Sequence, residues 1–473
     1  MTGLKKKIIV SPLTRLNNSS SVEVTVEDKR VIDARCSGIF FRGLELILRG
    51  RDPRDADYLT QRICGICSSA HGTAASFALE DAAGVRPPHN GNLLRNLIFG
   101  ADILQSHIRH FYLYSLPDYV RGPNQRPFIP GYTKGFRLPR KLNEAMVEHY
   151  FQAVEISRLA HELITLLGGK APHSHGLLAG GSTVPPTADI LMVFSLKLRK
   201  INDYIKNIMV PDTLTLAEAY PDYYEIGCRA PNLLEFGLFP RSADDNERFF
   251  PEGVIIDGHP QKLDSSAIRE HLKHSWFAGD NEPRHPSRER TEPDREKEGA
   301  YSWTKAPRYG GKPMEGGPLA RLWIKGDYRK GVSTMDRIAA RAMETEMIGK
   351  LMAGWVDELQ PGAPVYNVFD VPREAEGAGL TGVMRGPLGH WLRIEKGRIA
   401  NYEIITPTTW NFSPRDNAGR LGPVEEALIG TPIEDENEPV EIGRVIRAFD
   451  VCSSCSVHLI VPGTPVKETI IVP

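Results

Sequence analysis

The chain has 473 residues, with 58 lysines and arginines against 59 aspartates and glutamates and a formal net charge of −1. That balance offers no field for a polyanion, so nucleic acid is not an expected partner. No linker or low-complexity tract divides the sequence, so one domain over residues 1–473 is expected, and no run of about 18 apolar residues supplies a membrane span.

At the N-terminus, "MTGLKKKIIVSPLTRL" follows its lysines with too short an apolar stretch for a secretory signal. "VEVTVEDKRVID", 22–33, alternates apolar and polar residues around Asp28 and Lys29, the pattern of a half-buried hairpin. "GNLLRNLIFGADILQSHIRHFYLYSL", 91–116, has helical spacing with Asn92 as a cap and is expected to follow the first thiol pair directly. Further long periodic segments cover 141–167, 187–208 and 328–359, the second capped by Thr187 after two prolines. Such lengths predict a central bundle. Residues 277–317, rich in proline, glycine and charge, predict an extended surface excursion, and "HWLRIEKGRIANYEII", 390–405, a second hairpin turning at Lys396 and Gly397. The expected fold class is mainly α with peripheral β hairpins (α+β).

Six cysteines are present, and four form two C-x-x-C pairs near opposite ends: Cys64 and Cys67 in "RICGICSSAH" (62–71), Cys452 and Cys455 in "DVCSSCSVH" (450–458). A chain this long does not need a disulfide framework. Structural zinc, a soft-metal catalytic site and a redox dithiol are the three readings of the spacing. A site assembled only when both ends of the fold meet favours catalysis over stapling. His71 and His458 follow the pairs and are placed to donate to a sulfur, although each alone also reads as an ordinary buried imidazole. Gly65, Ser68, Ser69, Ser453 and Ser454 are small and leave room for a second metal or for diatomic ligands.

With these motifs, "FFRGLELILRGRDPRDA" (40–56), "YSWTKAPRYGG" (301–311), "MRGPLGHW" (384–391) and "PTTWNFSPRD" (407–416) resemble the large, catalytic subunit of nickel-iron hydrogenases from the first strand to the last residue. The resemblance implies that subunit's long-helix fold and a nickel-iron centre with Cys64 and Cys452 as terminal thiolates on nickel. Cys67 and Cys455 would bridge nickel to iron, which carries one carbon monoxide and two cyanides. It further implies Mg2+ held by Glu45 and His458, Arg385 overhanging the open side of the metals, and Asp416 and Asp450 as carboxylates near Arg385. The catalytic residues expected on this basis are Cys64, Cys452, Arg385 and Asp416. Three positions depart from the family pattern: Asn17 in "TRLNNSS" stands where a glutamate is usual, Ser106 in "LQSHIRHFY" where relatives carry aspartate, and Val451 where proline is common. An asparagine amide does not titrate near neutral pH, so the usual proton path is altered.

Dihydrogen is apolar and must be split heterolytically, which calls for an electrophilic metal beside a base, and a terminal thiolate has lone pairs for that task. No further cysteine cluster exists for an electron relay, so the resemblance implies a small subunit carrying iron-sulfur clusters, in a heterodimer open to higher assembly. The expected activity is reversible cleavage of H2 to protons and electrons; the alternative is an H2-sensing regulatory hydrogenase. "LIVPGTPVKETIIVP", 459–473, resembles an extension removed during maturation of catalytic large subunits, and its other reading is a terminal hairpin that stays. The compartment is left open between cytoplasm and a membrane reached through partner subunits.

Overall fold

In the computed structural model, which describes residues 5–16, 20–126, 128–129, 131–242, 247–279 and 282–452, the first hairpin forms as the alternation predicts. β2 (Ser20–Glu27) and β3 (Arg30–Gly38) turn at Asp28 and Lys29, whose φ angles of 49° and 58° match the twist of a tight two-residue hairpin. β1 (Lys6–Val10) adds to β2, giving an antiparallel sheet in the order β1-β2-β3. Asn17, Cys455, His458 and the 459–473 tail lie outside the described residues.

The thiol loop is followed not by the predicted long helix but by α1 (Ser68–Ala83). This helix is alanine-rich and buried nearly all round, so it lacks the polar stripe by which an amphipathic helix is recognised. The predicted long helix is α2 (His89–Arg109), continued by a wider turn through Ser115. α3 spans Arg140–Gly168, and α4 spans Ala188–Tyr204 with the Thr187 hydroxyl accepting the Ile190 N–H. Helix continues beyond α4 through Ile205–Met209 to Val210–Ala219. α5 (Pro318–Lys325) precedes α6 (Thr334–Glu358), whose start is set by a capping box between Ser333 and Asp336, later than periodicity indicates. α2 packs on α3 and α6, α3 on α4, and α4 on α6. α7 (Val440–Ala448) is buried along its whole length, and its Ile442, Val445 and Ile446 share a cluster with Val22, Val24 and Val26 of β2.

β4 (Leu233–Pro240), β5 (Arg248–Ile256) and β6 (His259–Gln261) form a second antiparallel sheet, and β7 (Ile268–His271) pairs with β8 (Ala306–Tyr309). A third sheet, β9 (Glu374–Val383), β10 (Gly386–Glu395) and β11 (Arg398–Ile405), contains the second predicted hairpin, turning at Lys396 and Gly397 with φ of 53° and 71°. β9 lies directly on α1. A Cβ at Gly379 would fall 1.8 Å from the Ala74 carbonyl oxygen and one at Gly377 2.2 Å from that of Ala78, so only glycine permits this approach.

The expected surface excursion at 277–317 is overturned for much of its length: Phe277, Thr291, Ser302, Lys305, Arg308 and Glu315 are buried. Most of 278–300 does lie at the surface, but the charges buried further on are paired inside the protein, Lys305 with Glu403 and Glu270, and Arg308 with Asp416. The architecture is a mixture of long helices and small antiparallel sheets. Among the described residues, no helix is long and apolar enough to cross a membrane.

Candidate metal centre

Cys64 ends the short helical turn Thr60–Ile63, and Cys67 sits immediately before α1, so the first pair caps a rigid helix that β9 clamps. Cys452 arrives from the far end of the chain, two residues past Asp450, whose φ of 56° turns the backbone sharply after α7. Its N–H donates to Thr408 Oγ1 at 3.0 Å. The three sulfurs lie within 4.8 Å of one another, with Cys64 and Cys452 Sγ 3.5 Å apart, and all three residues are at most 3 % exposed. Three convergent buried sulfurs are a soft donor set able to hold a metal ion.

Arg385 lies in the tight connection between β9 and β10, buried, with Nη2 donating to Ser106 Oγ at 3.2 Å. Its Nε is 3.1 Å from Asp450 Oδ1, close enough for charge attraction but not aligned for a hydrogen bond, so Nε and Nη1 have no hydrogen-bond acceptor among the described residues. Burial opposes its charge, yet Asp450 and then the Cys452, Cys67 and Cys64 sulfurs outweigh that and hold it protonated. Asp450 also faces Arg341 at 3.2 Å. Arg341 in turn donates to His107 Nδ1 at 2.9 Å, which leaves the His107 proton on Nε2, 3.1 Å from Glu344. Burial pushes His107 down to about 4, so the ring is neutral. Glu344 pairs bidentately with Arg321, which reaches Glu235 at 3.0 Å. A buried line of ion pairs, joined through the neutral His107, therefore runs from Asp450 into the body of the protein.

Of the two carboxylates expected near Arg385, the structure brings Asp450 and not Asp416. Asp416 accepts the backbone N–H groups of Ala418 and Arg420 and faces the guanidinia of Arg308 and Arg420 at 3.3 and 2.9 Å. Burial alone would raise its pKa, but the Arg420 N–H and the Arg308 charge hold it below the usual carboxylate range. The reason is local: "SPRDNAGR" closes a loop around its own aspartate. Glu45, on the short helix Leu44–Leu48, lines a cavity of about 40 Å³ with Lys305 and Thr409. Burial, and then Glu403, push its carboxyl up to about 7 against the pull of Lys305. His71 presents Nδ1 not to a sulfur but to His390 Nε2 at 3.2 Å, and His390 Nδ1 meets the Tyr402 hydroxyl at 2.8 Å.

The chain matches the nickel-dependent hydrogenase family model over residues 42–125, 121–331 and 324–458. It is 40 % identical over 493 residues to the periplasmic [NiFeSe] hydrogenase large subunit of Desulfomicrobium baculatum, covering 96 % of this chain and 95 % of that protein. The chain belongs to the nickel-dependent hydrogenase family. It is also 32 % identical to the uptake hydrogenase large subunit of Rhizobium leguminosarum bv. viciae (97 % of this chain, 96 % of that one) and 30 % to the hydrogenase-2 large chain of Escherichia coli K12 (97 and 98 %). The reduced Ni-Fe-Se hydrogenase of D. vulgaris Hildenborough superposes with a TM-score of 0.94 at 40 % identity, over 96 % of this chain and all of that one. Like these relatives, the chain is a hydrogenase large subunit, which implies a smaller partner subunit. The relatives named are enzymes and give the sensing alternative no support.

Within this hydrogenase large subunit, the sequence reading missed the groups that hold the site residues: Arg341, His107, Thr408, His390 and Asp102. Asp102, one helical turn before Ser106 on α2, accepts the Ser69 N–H at 3.0 Å and the Gln105 amide at 2.9 Å, and burial pushes it up to about 6. The available signal was charge on otherwise apolar helix stripes, Asp102 on α2 and Arg337, Arg341 and Glu344 on α6.

Proposed function

We propose that this subunit catalyses the reversible heterolytic cleavage of dihydrogen to protons and electrons. The observation that carries the reading is the convergence of the Cys64, Cys67 and Cys452 sulfurs beneath a buried, charged Arg385. Cys64 and Cys452 would hold nickel as terminal thiolates, and Cys67 and Cys455 would be the thiolates shared with iron. When bound, a nickel-iron centre whose iron carries one carbon monoxide and two cyanides supplies the electrophilic, two-electron redox chemistry. Every thiol position in this chain is cysteine, so the proposed donor set is all sulfur.

A terminal thiolate takes the proton released from the apolar substrate, since its lone pairs are not shared between metals. Arg385 is too firmly protonated to be the base; its Nε–H and Nη1–H, which have no acceptor among the described residues, would suit the anionic cyanide nitrogens. Asp450 orients Arg385, and Ser106 fixes its Nη2 end. Asp416 is assigned to holding the Arg308 loop rather than to proton transfer. Glu45 and His458 would hold Mg2+. Iron-sulfur clusters of the small subunit would carry the electrons away. Residues 1–473 act as one domain in which α2, α3, α4 and α6 form the central bundle, and 459–473 is removed on maturation. The test is H2-dependent reduction of an artificial acceptor by the purified two-subunit enzyme: activity is expected in the wild type and absent in Cys452→Ala, and activity surviving in Cys452→Ala overturns the reading.

A further inference from the structure

A cavity of about 310 Å³ opens where the end of α1 and the start of α2 meet β4, β5 and β9. It shares no lining residue with the sulfur site. Three arginines line it, Arg86, Arg95 and Arg248. The guanidinium carbons of Arg95 and Arg248 each lie 5.2 Å from the centroid of the Phe77 ring, so both cations are held against one aromatic side chain.

The acids in the same cavity leave particular guanidinium N–H groups without an acceptor among the described residues. Glu80 is committed to Arg95 Nη1 at 2.6 Å and to the Gly180 N–H at 2.8 Å. Asp81 is exposed and takes the Ala378 N–H at 2.9 Å, while Glu252 is exposed and pulls on Arg248 only through space. Arg95 is 3 % exposed, and among the described residues its Nε has no hydrogen-bond partner; Arg248 is half-buried, and its Nη1, itself shielded from solvent, has none there either. Burial, and then Arg95 and Arg86, lower Arg248 to about 10 against the attraction of Glu252, so it is still charged at neutral pH beside like charge. Buried charged N–H groups without acceptors are costly, and planar guanidinia present them in the geometry that oxygen anions accept.

We propose that this cavity is a binding site for a small oxyanion, of phosphate or carboxylate type, held by Arg248 Nη1 and Arg95 Nε over Phe77 with Arg86 closing the exposed rim. Phosphate and carboxylate share the recognising chemistry, an anionic oxygen on a guanidinium N–H, and separate titrations tell them apart. The site is independent of hydrogen cleavage, so its failure leaves that reading untouched.

The experiment is isothermal calorimetry on the purified two-subunit enzyme in low-chloride buffer, titrated with inorganic phosphate and, separately, with acetate, with chloride at matched ionic strength as the reference. Saturable one-site binding of at least one oxyanion is expected, weakened at least about tenfold in Arg248→Met, which keeps an apolar stem on Phe77, and less in the rim variant Arg86→Ala. H2 oxidation by both variants is expected to equal wild type, which certifies their folding. If Arg248→Met does not fold, Arg86→Ala must still weaken binding. The proposal is overturned if neither oxyanion binds, if chloride binds as well as they do, or if the folded variants bind like wild type.

Discussion

The Sγ atoms of Cys64 and Cys452 lie 3.5 Å apart although 388 positions separate the two residues in sequence. The metal-binding half of the site is therefore an outcome of bringing the chain beyond α7 against the thiol loop before α1. Thr408 is the local fastening, because its hydroxyl oxygen takes the Cys452 N–H in a buried setting. Thr408→Val leaves that N–H without its acceptor and is expected to cost about 1–3 kcal/mol. Nickel per subunit, measured beside the unfolding midpoint, should fall with it; unchanged values in both would remove Thr408 from the account.

Arg341 joins the Asp450 carboxylate to His107 and also donates to the Met384 carbonyl at 3.1 Å. Arg341→Met strands a buried carboxylate that then has only Arg385 beside it. Breaking one partner of a buried pair typically costs about 3–5 kcal/mol. Denaturant unfolding of the variant should show a loss of that order, and a midpoint equal to wild type would mean that Asp450 relies on Arg385 alone.

Acid should destabilise the fold through its buried neutral histidines. His110 is pushed down to about 3, first by burial and then by the Arg341 charge, and its Nε2 meets the Arg447 carbonyl at 2.6 Å. Between its unfolded pKa near 6.5 and the folded value, the unfolded state binds the extra proton, so stability is lost as pH falls through that window at up to roughly 1.4 kcal/mol per unit. His107 and His71, both lowered to about 4, act in the same direction. In His110→Gln the slope of stability against pH below 6.5 should become shallower; a slope identical to wild type contradicts the assignment.

Much of this was legible in the sequence where the local pattern and the tertiary demand coincide. Asp28-Lys29 and Lys396-Gly397 make tight turns whatever surrounds them, and the helices α2, α3 and α4 carry a clear apolar stripe. α1 was hidden because a helix rich in alanine and serine and buried nearly all round leaves no clear apolar periodicity. Residues 301–317 read as surface because lysine, arginine and glutamate usually are; their partners Glu403, Glu270, Asp416 and Arg337 lie elsewhere in the chain and become visible only in three dimensions. Of the site, Cys64, Cys67, Cys452, Arg385 and Asp450 converge, whereas Asp416 was drawn to Arg385 by motif position alone and belongs to its own loop. The Arg341–His107–Glu344 line had no motif to announce it.

Processing of the C-terminus makes a separate prediction. If His458 is to hold Mg2+ at a free chain end, the mature subunit should stop there, fifteen residues short of Pro473. Intact mass of the active enzyme is expected to match residues ending at His458, and a fully active chain ending at Pro473 would make the tail a structural part of the subunit.

The central claim is that the three converging sulfurs, with Cys455, hold nickel and iron. Metal analysis combined with infrared spectroscopy of the active two-subunit enzyme tests it most directly. Nickel and iron in near-equal amounts in the large subunit, with bands from carbon monoxide and cyanide, are the result expected; stoichiometric zinc without those bands would contradict it.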